Sequence, residues 1–155
     1  MDIRPSRSKI NNISFTQADI LNVNPNLVER YDLVTSLHAL EHIGLGRYGD
    51  PINTRGFIKG LENSRLLAKN SGEILISIPV ASIPRDIIEF NAQRVFSSKT
   101  ILETLRHSFA GDGLKWWCAC DSSRQPVSGY SHEQLEVTLS DFKGVGFLAT
   151  SWRKT

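Results

Sequence analysis

The sequence predicts an α/β domain, with helices packed on a sheet. Short β-like runs alternate with helix-period runs along the chain, which is the pattern of that class. An apolar share of 40% and a charged share of 22% are those of an ordinary soluble globule. A length of 155 residues supplies one core rather than two.

The elements follow in order. Ile13 to Phe15 begins a short strand that ends near Ala18 and Asp19. Asn24, Pro25 and Asn26 open a single turn through Arg30, and Tyr31 to Leu37 is a second strand. Its Leu33, Val34 and β-branched Thr35 suit a buried strand flanked by helices. Gly44 to Gly56 holds four glycines and a proline and reads as a loop. Phe57, Ile58, Leu61, Leu66 and Leu67 form the apolar stripe of a helix over 57–68. Asn70, Ser71 and Gly72 end it, because asparagine and glycine tolerate a positive φ after a helix. Glu73 to Ile78 is a third strand, closed by Pro79 and Pro84.

Ser98 caps a helix through about residue 109, with Ile101, Leu102, Leu105 and Phe109 on one face. Leu114 to Ala119 is a strand on which Trp116 and Trp117 alternate, one to the core and the other to the surface or a substrate wall. Arg124 to Tyr130 is polar and reads as a mobile connection. Ser131 and Gln134 have capping-box spacing for a helix carrying Leu135 and Leu139, and Val145 to Trp152 makes a last, antiparallel strand. No internal repeat or low-complexity tract interrupts this order.

Composition narrows the function classes. A net charge of +2 offers no basic excess for a nucleic-acid partner. The longest apolar run, Ile74 to Val80, is interrupted by Ser77 and Pro79 and falls far short of the roughly 20 residues that span a bilayer. The first residues are polar, so no secretory signal is expected, and the chain reads as cytoplasmic. Cys118 and Cys120 point the same way if on one strand, which suits two reduced thiols better than a mutual bridge. His38 and His42 share a face only if both are helical, and the cysteines are distant in sequence, so no metal site is expected.

Three blocks carry a resemblance. Asp2-Ile3-Arg4-Pro5, Ala18-Asp19-Ile20 and the run from Tyr31 to Ile43 are similar, in order and spacing, to class I S-adenosylmethionine (SAM)-dependent methyltransferases. The continuation from Gly44 to Pro51, and the block from Phe90 to Phe96, resemble more specifically a methyltransferase-like subfamily known as DUF268. The likeness covers about two thirds of the chain and weakens after Gly113.

The resemblance implies a partial Rossmann-like sheet and a set of roles. Ligands in such sheets lie beyond the carboxyl ends of the strands. By family position, Asp2 would accept from the ribose hydroxyls of the cofactor and Asp19 from its adenine amino group, with the Ile20 backbone beside the ring. Ser36 and Leu37 would line the methionine end, and His38 or His42 would accept a proton from the acceptor. Glu41, Arg47 and Tyr48, with Asp50, would face the acceptor, an anionic or sugar-like molecule. Each residue also has a plainer use. Asp2 is a terminal acid, Asp19 a turn former before Asn22 and Asn24, and Glu41 a carboxylate that favours a helix start. The loop from Gly44 to Gly56 can simply be held by its own hydrogen bonds.

A complete domain of the family opens with a strand and a glycine-rich turn, where the backbone comes close to the cofactor. No such turn precedes Asp2, and the glycines at 44, 46 and 49 follow the fourth-strand block. The family order 3-2-1-4-5-7-6 puts strands 1 and 2 between strands 3 and 4. Three arrangements answer this expectation: a longer gene product, a reduced sheet in which strand 3 pairs with strand 4, or a partner chain or second copy covering the exposed strand. The resulting expectation is a truncated relative with weak unaided SAM binding. It methylates a small or glycan-like acceptor or, alternatively, serves as a degenerate binding module.

Overall fold

The computed structural model describes residues 1–7, 9–109, 113–120, 127–141 and 144–154. Among these, seven strands form one sheet around β2 (Ala68–Ala81). On one side β2 pairs in parallel with β1 (Tyr31–Leu37), from Leu33 against Glu73 to Leu37 against Ser77. Past the end of β1, the last two residues of β2 pair in parallel with β4 (Gln93–Ser97), which forms a hairpin with β3 (Ile87–Glu89). On its other side β2 runs antiparallel to β7 (Val145–Arg153). β7 in turn pairs with β5 (Gly113–Cys120), and β5 with β6 (Val127–Gly129). The series β1-β2-β7-β5, with β7 antiparallel to its neighbours, is the 4-5-7-6 half of the expected order. The fold is the predicted α/β class.

Three helices lie on this sheet: α1 (Gly56–Leu67), α2 (Ser98–Ser108) and α3 (His132–Ser140). Phe57 and Leu61 of α1, Ile101 and Leu105 of α2, and Leu135 and Leu139 of α3 belong to one buried cluster. Its sheet members are Ile74, Ile76, Ile78 and Val80 of β2, Leu114, Trp116 and Cys118 of β5, and Leu148 and Trp152 of β7. The pairing register aligns these even-numbered residues on a single face, because side chains alternate along a strand. Trp152 stacks on Phe109 with ring centroids 3.9 Å apart. The odd-numbered face carries Leu33, Leu37, Trp117 and Phe147, which keep 53%, 60%, 41% and 43% of their surface exposed. The core is therefore one-sided among the described residues. The alternation expected at Trp116 and Trp117 holds, with Trp116 at 1%.

Several expectations are corrected. Residues 13–19 form no strand; they carry only isolated bridges, Ile10 to Ile13 and Asp2 to Gln17, and none reaches β1. Leu33 is exposed rather than buried, since it points to the odd-numbered face of the sheet, which the buried cluster does not cover among the described residues. Pro79 does not close the third strand, which continues to Ala81. Ser77 accepts from His38 on the β1 side while Ser82 donates to Gly144 on the β7 side, so alternation turns Pro79 toward the β1 side. There the pairing with β1 has ended at Ser77 and the pairing with β4 begins only at Val80, so the missing N–H of proline costs no ladder bond.

The turn at residues 70–72 lies inside β2, as a bulge: Tyr31 faces Ala68, but Leu33 already faces Glu73. Ser71, at φ 64°, takes the left-handed conformation there. Ser97, one residue earlier than expected, caps α2 by accepting from the Thr100 N–H. Ser131 caps α3 as its spacing predicts. The β3–β4 hairpin was not expected at all. Arg124 to Pro126 lie outside the described residues, and the rest of that connection forms β6. No helix among the described residues is long and apolar enough to cross a membrane.

The one-sided core predicts a pair of outcomes by denaturant unfolding. Thr35→Lys, on the exposed face of β1, should change stability by under about 0.5 kcal/mol. Thr150→Lys, on the covered face of β7 at 2% exposure, should cost more than about 3 kcal/mol. Similar costs at the two positions would contradict a core confined to one face.

Candidate functional site

The site begins where β1 leaves the sheet. The His38 N–H donates to the Ser77 carbonyl at 3.0 Å and approaches the Ser77 hydroxyl oxygen at 3.2 Å, prolonging the ladder by one residue. His38 itself adopts φ 47°, an uncommon conformation for a side-chain-bearing residue, and so turns the chain sharply into a 3-10 turn at Leu40–His42. Leu40 of that turn enters the core beside α1, which draws Glu41 down to 1% exposure.

Glu41 is the centre of a cluster. Its Oε1 stands 3.3 Å from His38 Nδ1 and 3.8 Å from His42 Nε2. His42 Nδ1 lies 2.5 Å from the Ala92 carbonyl, which can only accept, so this nitrogen carries a proton. Burial raises the Glu41 carboxyl above the usual carboxylate range, with its own backbone N–H and the two histidines opposing that shift. Among the described residues its Oε2 has no hydrogen-bond partner.

β4 braces this turn. The guanidinium of Arg94, 6% exposed, donates to the carbonyls of Ile43 at 2.5 Å, Asn53 at 3.1 Å and Glu41 at 3.3 Å. Arg47 donates to the Ala92 carbonyl at 3.0 Å. The loop between is held from inside by Asp50, whose carboxylate accepts from the N–H groups of Gly44 at 2.7 Å, Tyr48 at 3.1 Å and Gly46 at 3.4 Å. Gly44, at φ 78°, is required because a Cβ there would collide with the Asn53 carbonyl. Burial works to raise the Asp50 carboxyl, but the three N–H donors outweigh it and hold it below its ordinary range.

A cleft of about 530 Å³ opens between this turn, β1 and the N-terminal segment. Asp2, Asp19, Ile20, Ser36 and Leu37, expected from sequence at the cofactor, all line it, as do His38, His42 and Tyr48. Glu41 and Arg47 do not line it: Glu41 is buried against the histidines, and Arg47 turns to Ala92 in the turn before β4. Asp2 is engaged by Arg4, whose Nε, Nη2 and backbone N–H donate to it at 3.0, 2.8 and 2.9 Å. These bonds lower the Asp2 carboxyl to about 2. Arg4 also stacks over the Tyr48 ring, 4.5 Å from its centroid. Asp19 accepts from the Leu21 N–H at 2.8 Å and from the Asn22 side chain at 3.1 Å, the turn its sequence context suggests. Asn63 of α1 donates to the Ile20 carbonyl at 2.6 Å and ties this turn to the core.

Arg94, Ala92 and Arg4 were missed from sequence. Arg94 sits between Gln93 and an apolar pair in a strand too short to show a period, and Arg4 lies in a block valued for its aspartate. Among the described residues no group of three or more histidine, cysteine, aspartate or glutamate side chains is arranged to hold a metal ion.

Comparison with known proteins locates this arrangement. The family model described as "Caenorhabditis protein of unknown function, DUF268" matches residues 3–126. No curated protein sequence matches the chain. Among solved structures, the 1,6-didemethyltoxoflavin-N1-methyltransferase of Burkholderia thailandensis, bound to 1,6-didemethyltoxoflavin and S-adenosylhomocysteine, superposes with a TM-score of 0.52 at 16% identity. That match covers 91% of this chain and 50% of that one. The [4+2]-cyclase SpnF gives a TM-score of 0.55 at 12% identity, covering 90% and 56%. A SAM-dependent methyltransferase from Archaeoglobus fulgidus gives 0.51 at 16%, covering 90% and 66%. The chain thus spans between half and two thirds of these proteins' length and shares their class I methyltransferase fold.

The Asp50 geometry predicts an acid-side loss of stability. Its folded carboxyl binds a proton less readily than the unfolded one, so its contribution is complete above the unfolded value of about 4 and disappears as pH falls through the lower folded value. Asp50→Asn should lower stability at pH 7 by about 1–2 kcal/mol and flatten the decline below pH ~4 in denaturant titrations. An unchanged acid limb would remove Asp50 as the anchor of the loop.

Proposed function

This chain belongs to the DUF268 family, and from that premise we propose that it transfers a methyl group from SAM to a small or glycan-like acceptor held in the cleft beside β1. The observation that carries the reading is the convergence of Asp2, Asp19, Ile20 and Ser36 to His38, distant in sequence, on one cleft at the carboxyl end of a parallel strand.

The residues present suit a nucleoside. A carboxylate offers about four acceptor positions. Asp19 uses two of them within its turn, leaving two for the adenine amino group. Asp2 spends three on Arg4, so holding both ribose hydroxyls requires Arg4 to swing aside. Ser36 and Leu37 border the same space and would take the methionine end. When bound, SAM supplies an electrophilic methyl on a good leaving group, which leaves positioning and proton removal to the protein. His38 and His42 line the cleft and would receive a proton there. Tyr48, packed beneath Arg4, would form the wall nearest the acceptor.

A second reading follows from the Asp2–Arg4 pairing, which engages the carboxylate proposed for the ribose with the chain's own side chain. In it the domain is a binding or assembly module without catalysis. The outward edge of β1, unpaired among the described residues, would then receive a strand from a partner or a second copy.

Calorimetric titration with SAM separates the two. Under the methyltransferase reading the chain binds SAM, and Asp19→Asn weakens binding about tenfold, as expected for one hydrogen bond to a charged acceptor. The substitution keeps an oxygen for the Leu21 N–H, so the turn survives. Equal affinity in the variant would remove the adenine role of Asp19. A folded chain that does not bind SAM would favour the module.

A further inference from the structure

Two histidines border the cleft, and the geometry distinguishes them. His42 is clamped: its Nδ1–H is committed to the Ala92 carbonyl in the turn before β4, and its other nitrogen faces the buried Glu41 at 3.8 Å. Its side chain is 18% exposed. Among the described residues, His38 is held at one nitrogen only. Its Nδ1 stands 3.3 Å from Glu41 Oε1, close enough for a donated hydrogen bond, and its side chain is 50% exposed. A Phe147 ring meets the imidazole edge-on at 5.8 Å and restricts its swing. Nε2, on the opposite side of the ring from Glu41, is then the unprotonated nitrogen of the neutral form.

We propose that Glu41 is a positioning residue: it fixes His38 as the Nδ1–H tautomer, and His38 rather than His42 presents a free Nε2 to the acceptor. This rests on the methyltransferase reading for its chemistry, though not for its geometry. In the reaction, an acceptor oxygen or nitrogen forms its bond to the methyl carbon as the carbon–sulfur bond of the sulfonium donor breaks. The bonding pair stays on sulfur, which becomes a neutral thioether, and the acceptor's proton passes to His38 Nε2. The resulting imidazolium faces a carboxylate already in place, an arrangement in which a buried acid both selects the tautomer and stabilises the developing charge.

Three structural features support the assignment over a packing role for Glu41. The carboxylate is 1% exposed and outside the cleft lining, so it acts through another group rather than on a ligand. Its backbone is fixed independently of its side chain, because Arg94 bonds the carbonyls of Glu41 and Ile43. The unusual φ of His38 turns the residue so that its ring lies against Glu41, three residues on.

The test is long-range proton–nitrogen NMR on the histidine-labelled chain, at a pH above imidazole titration, with His38→Gln and His42→Gln supplying assignments. His38 and His42 should both show the Nδ1–H pattern. Glu41→Met keeps the shape but offers no acceptor, so His38 should shift to a mixture rich in the Nε2–H form while His42 stays unchanged. Glu41→Gln, with its amide oxygen at hand, should restore the Nδ1–H pattern of His38. A purely structural Glu41 would not tie the tautomer of one histidine to the acceptor chemistry of its side chain. An Nε2–H pattern for His38 in the parent chain, or no response to Glu41→Met in a variant of native melting profile, would overturn the proposal. SAM affinity should be equal in parent and Glu41→Met. If neither binds SAM, the methyltransferase reading fails while the orientation of His38 by Glu41 stands on the NMR alone.

Discussion

Buried backbone amides have to be paired, and β2 meets that requirement with three partners. β1 and β7 take its two edges over the first part of its length, and β4 replaces β1 once β1 has turned away at His38. This hand-over creates a gap in the ladder at Pro79, the one residue type that has no N–H to leave unsatisfied there. It also fixes the site. The cleft lies at the end of β1, and the β3–β4 hairpin arrives alongside it bearing Ala92 in its turn and Arg94 at the start of β4. Fold and candidate chemistry therefore depend on the same strand exchange.

Around that exchange, charge is buried in a graded way. Arg94 bonds three carbonyls of the turn and loop, so its guanidinium is solvated by backbone dipoles in place of water. Asp50, nearby, is solvated by backbone N–H groups and stays easily ionised. Glu41 has neither arrangement for its second oxygen, and its carboxyl is raised accordingly. Two of the three charges stabilise a loop, and the third is left costly and next to imidazoles. That is the pattern by which a scaffold holds a reactive group under tension while its surroundings remain rigid.

The one-sided core has a further consequence for the N-terminal segment. With the helices gathered on the even face, residues 18–22 find their contacts at the edge of that layer, where Asn63 of α1 holds Ile20. Gly60 lies under this contact, and a Cβ there would press on the Leu40 side chain, with the Ile20 side chain at ordinary contact distance. Asp19 reaches the cleft because its turn is docked there, although no ladder connects it to β1.

Much of this was legible in order along the chain. The helical stripes of α1, α2 and α3, the strand at Tyr31–Leu37 and the closing strand are local patterns, set by side-chain periodicity and capping chemistry. The residues gathered in the cleft were legible through motif resemblance. What periodicity could not express was pairing: the β3–β4 hairpin, the passage of β2 through Pro79, the bare face of the sheet and the exposure of Leu33 each depend on which strand lies alongside. Sequence alone thus determined the class and the helices, since these follow from interactions within a few residues of one another, and it pointed to the candidate residues through resemblance. Tertiary structure alone decided that Glu41 is buried between two histidines, that Arg94 holds the loop and that Arg4 occupies Asp2. Arg94 and the Ala92 carbonyl reach the turn and loop from 41 to 53 residues away. Even the contacts close in sequence, Glu41 with its histidines and Asp2 with Arg4, depend on how the tertiary fold turns and buries the chain there.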